Sequence, residues 1–555
     1  MKKLNVILLI FSFILSGIGG MFLFYTNARN NDALIVYTPI KNIEEEEDIV
    51  YTYHTIDEYI ENNQIPQTIG ETTITGNGSE SDPYIINSTS DFVFMFCTDL
   101  ILSNVRSIEL NCDISFNDEK FDEEGNPSGG DGKVYNYKYD TDFRNSNYKF
   151  NGNGHTIKGI YSNEESNKNG NIYILSCYNL ENTNFENIFL NMPVYSVYRT
   201  TIINSNITIN NIENCNIFSG VMSHPMRVCG FAWEITGYVK NCKNFAIIGN
   251  GKTSSGAAAF VWKANEIINC KNYGDIVSSG GTVCGIGGAV KIDACENYGK
   301  IEGYYVSGIG TASTITNSKN YGEIYANASS GQGGGISYST ASSTLIYNCE
   351  NYGEIQTGYV KGQILGRAGG TASNRSNVII SSCKYKTING RACVGGAQSS
   401  HVTINIDKCV FDYSESSSNN ISVVIGFNYS YFEFRMKITN TEIIGGNCKQ
   451  IYLFYGDANK GHIVKNVLFR ISEKTTLKRF LDSASSHIKT FEYDGVVILK
   501  KDGQGGYYYG SDFSGFVLDY KSQQVSLKSR DSFGQFYASI DENWLINYKK
   551  CTKIA

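Results

Sequence analysis

A chain of 555 residues with 56 glycines, 39 tyrosines and only 6 prolines, rich besides in Asn, Ser, Thr and Ile, has the composition of strands joined by tight turns. Its net charge of −7, with no basic run beyond the first residues, argues against a nucleic-acid partner, whose binding rests on clustered Lys and Arg. Long amphipathic helices are hard to find, and solenoids that grow by adding coils escape the usual limit on domain size, so one long domain is allowed.

Lys2 and Lys3 precede a run without charges from Val6 to Tyr25, long enough to cross a hydrocarbon core as a helix. Positive-inside orientation leaves everything after it outside. Residues 1–28 read either as a signal anchor or as a signal peptide cleaved near Thr26-Asn27-Ala28. Both predict an extracellular or cell-surface protein, with the membrane as a partner only if the segment is uncleaved. Residues 29–70 carry the acidic run Glu44 to Asp48 and little apolar periodicity, and read as a solvated spacer, or else as a helix packed on the first coil.

Residues 71–200 are read as N-terminal coils and cap, and 201–412 carry an internal repeat. The strings are NCKNFAII (241–248), NCKNYGDI (269–276), ACENYGKI (294–301), NSKNYGEI (317–324) and NCENYGEI (348–355). Their Cys or Ser marker recurs at 215, 242, 270, 295, 318, 349, 383 and 409, which is 23 to 34 residues apart. A second, Gly-rich segment lies between the markers, as in VCGFAW (228–233), VCGIGG (283–288) and VSGIGT (306–311). A leucine lattice and helical repeat units are both missing, so the period predicts an all-β, right-handed parallel β-helix with one coil per marker. A single coil leaves its inner face and its strand edges open; coils stacked about 4.8 Å apart close both. The repeat decays into irregular coils over 413–501, and 502–555 reads as a small C-terminal β cap carrying Tyr507, Tyr508 and Tyr509.

Strict alternation through NCKNYGDI puts Cys270, Asn272, Gly274 and Ile276 on one face and Lys271, Tyr273 and Asp275 on the other. A buried Asn column at 244, 272, 297, 320 and 351 can then bond from coil to coil. A left-handed corner at the Asn would instead re-phase the strand and turn the aromatic inward. If it points outward, Phe245, Tyr273, Tyr298, Tyr321 and Tyr352 form an external ladder. They are the candidate binding residues, either for sugar rings or a partner protein or, alternatively, for one another. Asp275, Lys300, Glu323 and Glu354 run beside them.

Fifteen cysteines in an exported chain suggest disulfides, but an odd count cannot pair fully and the spacing is that of the repeat. Ser318 shows that a small inward side chain suffices, which favours a buried, mostly reduced ladder. No CxxC, HExxH, GxSxG or phosphate loop occurs, so the expectation is no metal, no cofactor and no catalytic set. His155 reads as a turn residue.

These segments resemble bacterial surface proteins with GLUG-type repeats, whose units join an N-C/S strand, Gly-rich turns and a G-G-[IL]-[VAG]-G strand. Gly76-Asn77-Gly78-Ser79 with Asp82 to Ile86, and Phe150 to Ile160 with its two Asn-Gly pairs, are similar to the opening strand and first coil of such proteins. The resemblance covers roughly 71–412; Ala246 for Gly and Ser318 for Cys depart from it. It implies surface display and non-catalytic adhesion to a glycan or protein, with no binding residue to transfer. The rival readings are a polysaccharide lyase or hydrolase, built on Asp275, Glu323, Glu354 and Arg367 by fold analogy, and a purely structural stalk.

Overall fold

The computed structural model describes residues 49–509 apart from 99–104, 138–147, 164–171, 192–198, 205–206, 252–254, 328–330, 341–342, 358–359, 369–375, 387–391, 398–400, 417–419, 427–432, 446–449, 456–461, 473–480, 483–490 and 502–506. The expected membrane segment, the acidic run and nearly all of the C-terminal cap lie outside the described residues.

A parallel β-solenoid of about ten turns fills that range. One coil shows how it is built. Gly287–Asp293 runs along a first face, Ala294 turns a corner at φ 53°, and Glu296–Asn297 forms a short second strand. Ile301–Gly303 and Tyr305–Ser307 make a third and fourth, after which Gly310–Thr316 starts the next coil directly above Gly287–Asp293. Every strand of this coil pairs in parallel with its counterpart one coil on. The third face stacks 8 strands and the fourth 7.

The corner is sequence-coded. Asn182, Asn214, Asn241, Asn269, Ala294, Asn317, Asn348, Ser382, Lys408 and Asn440 all have φ between 47° and 55°, a region Asn tolerates better than other side chains. The left-handed residue is thus the Asn that precedes the marker, not the Asn two positions after it. For that reason the alternation that follows is undisturbed, and Cys270, Asn272, Gly274 and Ile276 are buried together.

The marker column explains itself chemically. Cys215, Cys242, Cys270 and Cys295 each donate their thiol to the carbonyl two residues back, at 3.2–3.3 Å. Ser318 does the same with its hydroxyl at 2.8 Å, and so do Thr183 and Thr441 at 2.7 and 2.8 Å. The position needs one small donor to satisfy a carbonyl exposed by the corner, and Cys, Ser and Thr all supply it. No disulfide joins the described cysteines. Burial pushes the thiols of Cys242, Cys270 and Cys295 well up, which keeps them protonated and inert. Ala258 separates Cys229 from Cys284 in the stack, so these second-segment cysteines do not sit on adjacent coils.

The second strand carries one continuous inward column: Ile114, Ile157, Phe185, Ile217, then Asn244, Asn272, Asn297, Asn320 and Asn351, then Tyr385, Phe411 and Ile443. Five amides thus replace apolar side chains in the middle of the core. Each asparagine donates one N–H to the Oδ1 of the next, at 2.8 Å in every step from Asn244 to Asn351. The other N–H goes to the carbonyl two residues on, as in Asn272 to Gly274 at 2.8 Å. Tyr385 occupies the next position and cannot continue the chain; Gln363 reaches in from the fourth corner and accepts from Asn351 at 2.9 Å. The Gly-rich segment makes room for these amides: a Cβ on Gly308 would lie 2.5 Å from the amide carbon of Asn320, and one on Gly335 would lie 2.4 Å from that of Asn351.

Residues 52–65, read from sequence either as the end of a solvated spacer or as a helix packed on the first coil, are folded. Thr52–His54 pairs with Lys133–Tyr135, and Ile56–Asn62 is a helix with a Thr55/Glu58 capping box whose Ile56 and Tyr59 are buried in the main core. The nearby acidic run masked the apolar spacing of Ile56, Tyr59 and Ile60. A second helix, Thr89–Cys97, buries Phe92, Val93, Phe94, Met95 and Phe96 and plugs the first coil, covering an end that would otherwise be open. At the far end Tyr507–Tyr509 pairs antiparallel with Leu499–Lys501, which interrupts the parallel stack there.

Candidate functional site

The outward side of the second strand holds three parallel columns. In the middle, Phe245, Tyr273, Tyr298, Tyr321 and Tyr352 stack with ring centroids 4.5, 4.9, 4.8 and 5.3 Å apart and interplanar angles of 5–11°. They are 37–46 % exposed. Phe218 adds a tilted ring before Phe245 at 6.3 Å; it stands one coil earlier, in the weaker repeat around Cys215, and the stricter strings do not include it.

Because the rings lie almost parallel at van der Waals spacing, their faces cover one another. What the ladder presents to solvent is ring edges and hydroxyls. Sugar rings therefore cannot stack between the tyrosines, and the flat platform that the sequence allowed is used up by the tyrosines themselves.

On one side of the ladder, Lys243, Lys271, Glu296, Lys319, Glu350 and Lys384 follow in register. The signs mostly alternate, and Lys271 meets Glu296 at 2.7 Å and Lys319 meets Glu350 at 3.4 Å. Tyr298 donates its hydroxyl to Glu296 at 2.7 Å, and Tyr352 donates to Glu350. Burial works against the Glu296 carboxylate, but hydrogen bonds from Lys271 and Tyr298 outweigh it and hold its pKa below the ordinary 4.5. Burial and then Glu296 push the Tyr298 hydroxyl up. On the other side, the Asp275 carboxylate accepts the Lys300 backbone N–H at 2.8 Å, and Lys300 pairs with Glu302 at 2.7 Å.

Lys300 thus lies between Asp275 and Glu323 in the column. The side chain of Arg367 lies outside the described residues. His155 faces Asp113 at 3.2 Å beside a turn, and the Thr156 backbone N–H, followed by His155, holds the Asp113 carboxyl below its usual range. No group of three or more His, Cys, Asp or Glu that could hold a metal occurs among the described residues.

A second cluster lies on the outside of the tube and was not anticipated. Arg199 and Arg227 are register partners in adjacent coils of the fourth face, and their guanidinium carbons lie 5.0 and 5.1 Å from the ring centroid of Trp233. Trp233 stacks on Trp262 at 4.8 Å and 9°. Cys229, Ala258 and Cys284 pack beneath the indoles in a small cluster separate from the main core. The signal was present in the spacing: Arg199 to Arg227 and Trp233 to Trp262 are each about one coil apart, but neither pair sits in a string that repeats further.

No family model, no curated protein and no solved structure matches this chain.

Proposed function

We propose that this chain is an exported, surface-displayed right-handed β-helix that adheres, without catalysis, to a linear glycan lying along its axis. The observation that carries the reading is the outer face: an exposed edge of aromatic rings and hydroxyls, repeating every 4.5–5.3 Å and bordered on both sides by charged columns. A repeat of this kind matches a polymer better than a lone sugar, because ring faces are closed and only edges and polar groups remain for contact. The resemblance to surface proteins with GLUG-type repeats and the uncharged run from Val6 to Tyr25 point the same way.

The face-to-face stacking of the tyrosines favours one second reading, a structural stalk in which the ladder stabilises the coils and binds nothing. A binding screen of the full chain against soluble polysaccharides separates the two. Saturable binding that weakens on Tyr298→Ala and Tyr321→Ala, with no new reducing ends or unsaturated products, supports adhesion. Turnover overturns the non-catalytic assignment, and an absence of binding to any polymer leaves the stalk.

A further inference from the structure

The chain repeats once per coil, but its outer face repeats every two coils. Lys271, Glu296, Lys319 and Glu350 stand two residues before Tyr273, Tyr298, Tyr321 and Tyr352, so cation and carboxylate alternate from coil to coil beside the rings. Each carboxylate draws in two partners. Glu296 takes Lys271 from the coil below at 2.7 Å and the hydroxyl of Tyr298 from its own coil at 2.7 Å. Glu350 likewise takes Lys319 at 3.4 Å and the hydroxyl of Tyr352. Where a lysine stands in the place of the carboxylate, the tyrosine of that coil has no such acceptor beside it. Tyr273 and Tyr321 accordingly make no side-chain hydrogen bond among the described residues, and they are 37 and 38 % exposed.

Two equal units therefore follow one another in register, the first made by Lys271, Tyr273, Glu296 and Tyr298, the second by Lys319, Tyr321, Glu350 and Tyr352. Each offers one open phenol and one closed one. Within a unit the lysine and the glutamate cancel. On the other flank Asp275, Glu323 and Glu354 outnumber Lys300, so the strip carries no excess of cations to draw in an acidic polymer.

A polymer lying along the axis meets one ring edge per coil and one open hydroxyl per two coils. In an extended chain of β-1,4-linked, glucose-type sugars, both bonds to each ring are equatorial. Each sugar then advances by roughly one strand spacing and is turned over relative to the last, so a given hydroxyl returns to the same edge at every second sugar. Chains with α-1,4 or β-1,3 linkages curl into helices and leave a straight row after a few sugars.

We infer that the ladder binds a neutral, extended β-1,4-linked glycan, one sugar per coil, with the hydroxyls of Tyr273 and Tyr321 meeting the same edge of alternate sugars; this gives the adhesion reading above its class of ligand and rests on it. Titration calorimetry on the full chain tests it. The probes are cellobiose, cellotetraose, cellohexaose, chitohexaose, maltohexaose, laminarihexaose and oligogalacturonate, and the proteins are wild type, Tyr273→Phe, Tyr321→Phe and Tyr298→Phe. Each phenylalanine keeps its ring in the stack and removes only a hydroxyl, and circular dichroism with a melting curve shows whether the variants are folded.

The expected result is that cellohexaose or chitohexaose binds more tightly than maltohexaose, laminarihexaose and oligogalacturonate, with affinity climbing from cellobiose to cellotetraose as the second unit fills. Tyr273→Phe and Tyr321→Phe should each weaken binding by about fivefold, the worth of one hydrogen bond. Tyr298→Phe should weaken it less, because its hydroxyl is already given to Glu296. Equal or tighter binding of a helical or acidic glycan overturns the class and leaves adhesion standing. So does an affinity that ignores chain length, or a folded Tyr273→Phe and Tyr321→Phe that lose no more than Tyr298→Phe. An absence of binding to every probe ends both proposals.

Discussion

The coils from Asn244 to Asn351 and the coils on either side of them have the same path, the same left-handed corner and the same marker, yet their cores are held by different forces. Below and above, the second-strand column is Phe185 and Ile217, then Tyr385 and Phe411, which exclude water and make no hydrogen bond from one member of the column to the next. Tyr385 and Phe411 stack at 4.7 Å, and the buried hydroxyls of Tyr385 and Tyr413 bond each other. In between, an unbroken chain of amides runs along the axis. The apolar column tolerates any side chain of suitable volume. The amide chain is all-or-none, because each member satisfies its neighbour, and a missing one leaves a buried donor and a buried acceptor without partners. The repeat is therefore strict over these coils and loose elsewhere, and the ladder of tyrosines outside is regular only where the amides inside set the register.

Breaking the amide chain should have the largest effect. Asn297→Ala takes the acceptor from one N–H of Asn272 and the donor from the Gly299 carbonyl and the Asn320 Oδ1, and leaves a cavity, so a loss of about 3 kcal/mol or more in denaturant unfolding is expected, against about 1 kcal/mol for Ile217→Val in the apolar stretch. Equal losses at both sites would erase the distinction drawn here. Removing one outer ring comes next. Tyr298→Ala deletes two stacking contacts, at 4.9 and 4.8 Å, and should cost about 1–2 kcal/mol, readable as a lower midpoint without loss of the strand signal in circular dichroism.

Acid should act on the coil of His224 before it acts on the amide chain. The folded-state pKa of His224, about 4, lies below its ordinary 6.5, so the unfolded chain binds the proton first. Stability is full above pH 6.5 and falls as the pH drops toward 4. His224→Gln should flatten that part of the stability profile; an unchanged slope would remove His224 as its source. Glu296 acts lower: its depressed pKa gives stability above the ordinary 4.5 that is lost as the pH falls through the folded value. The smallest effect is expected at the marker. Cys295→Ser should change stability by less than about 1 kcal/mol, because Ser318 already makes the same bond one coil on, and a large loss would show that the thiol's volume, not its donor, is what the position needs.

The spacing of the markers was legible in the sequence, and the alternation through each string with a buried Asn column was one of the two phases it allowed, because a repeat with a period of two inside each strand leaves few ways to hide apolar residues from water; the choice between them came from the left-handed corner standing at the Asn before the marker. The helix at Ile56–Asn62 was legible only as the alternative to a solvated spacer, and the cluster around Trp233 was not legible at all. One was overshadowed by neighbouring charge. The other needs residues from the fourth strand of two coils and the first strand of two coils to meet at a corner, and no local pattern encodes that meeting.

By itself the sequence determined that equivalent residues recur once per coil, and with that which side chains are stacked on which. Only the tertiary structure decided how closely and at what angle they stack: tyrosines at van der Waals distance face each other and close their faces to a ligand, while Trp233 stacks on Trp262 and has the guanidinium carbons of Arg199 and Arg227 at 5.0 and 5.1 Å from its ring centroid. The physical reason is that recurrence along the chain fixes neighbours, whereas the space left between neighbours depends on corner geometry contributed by residues far apart in the chain.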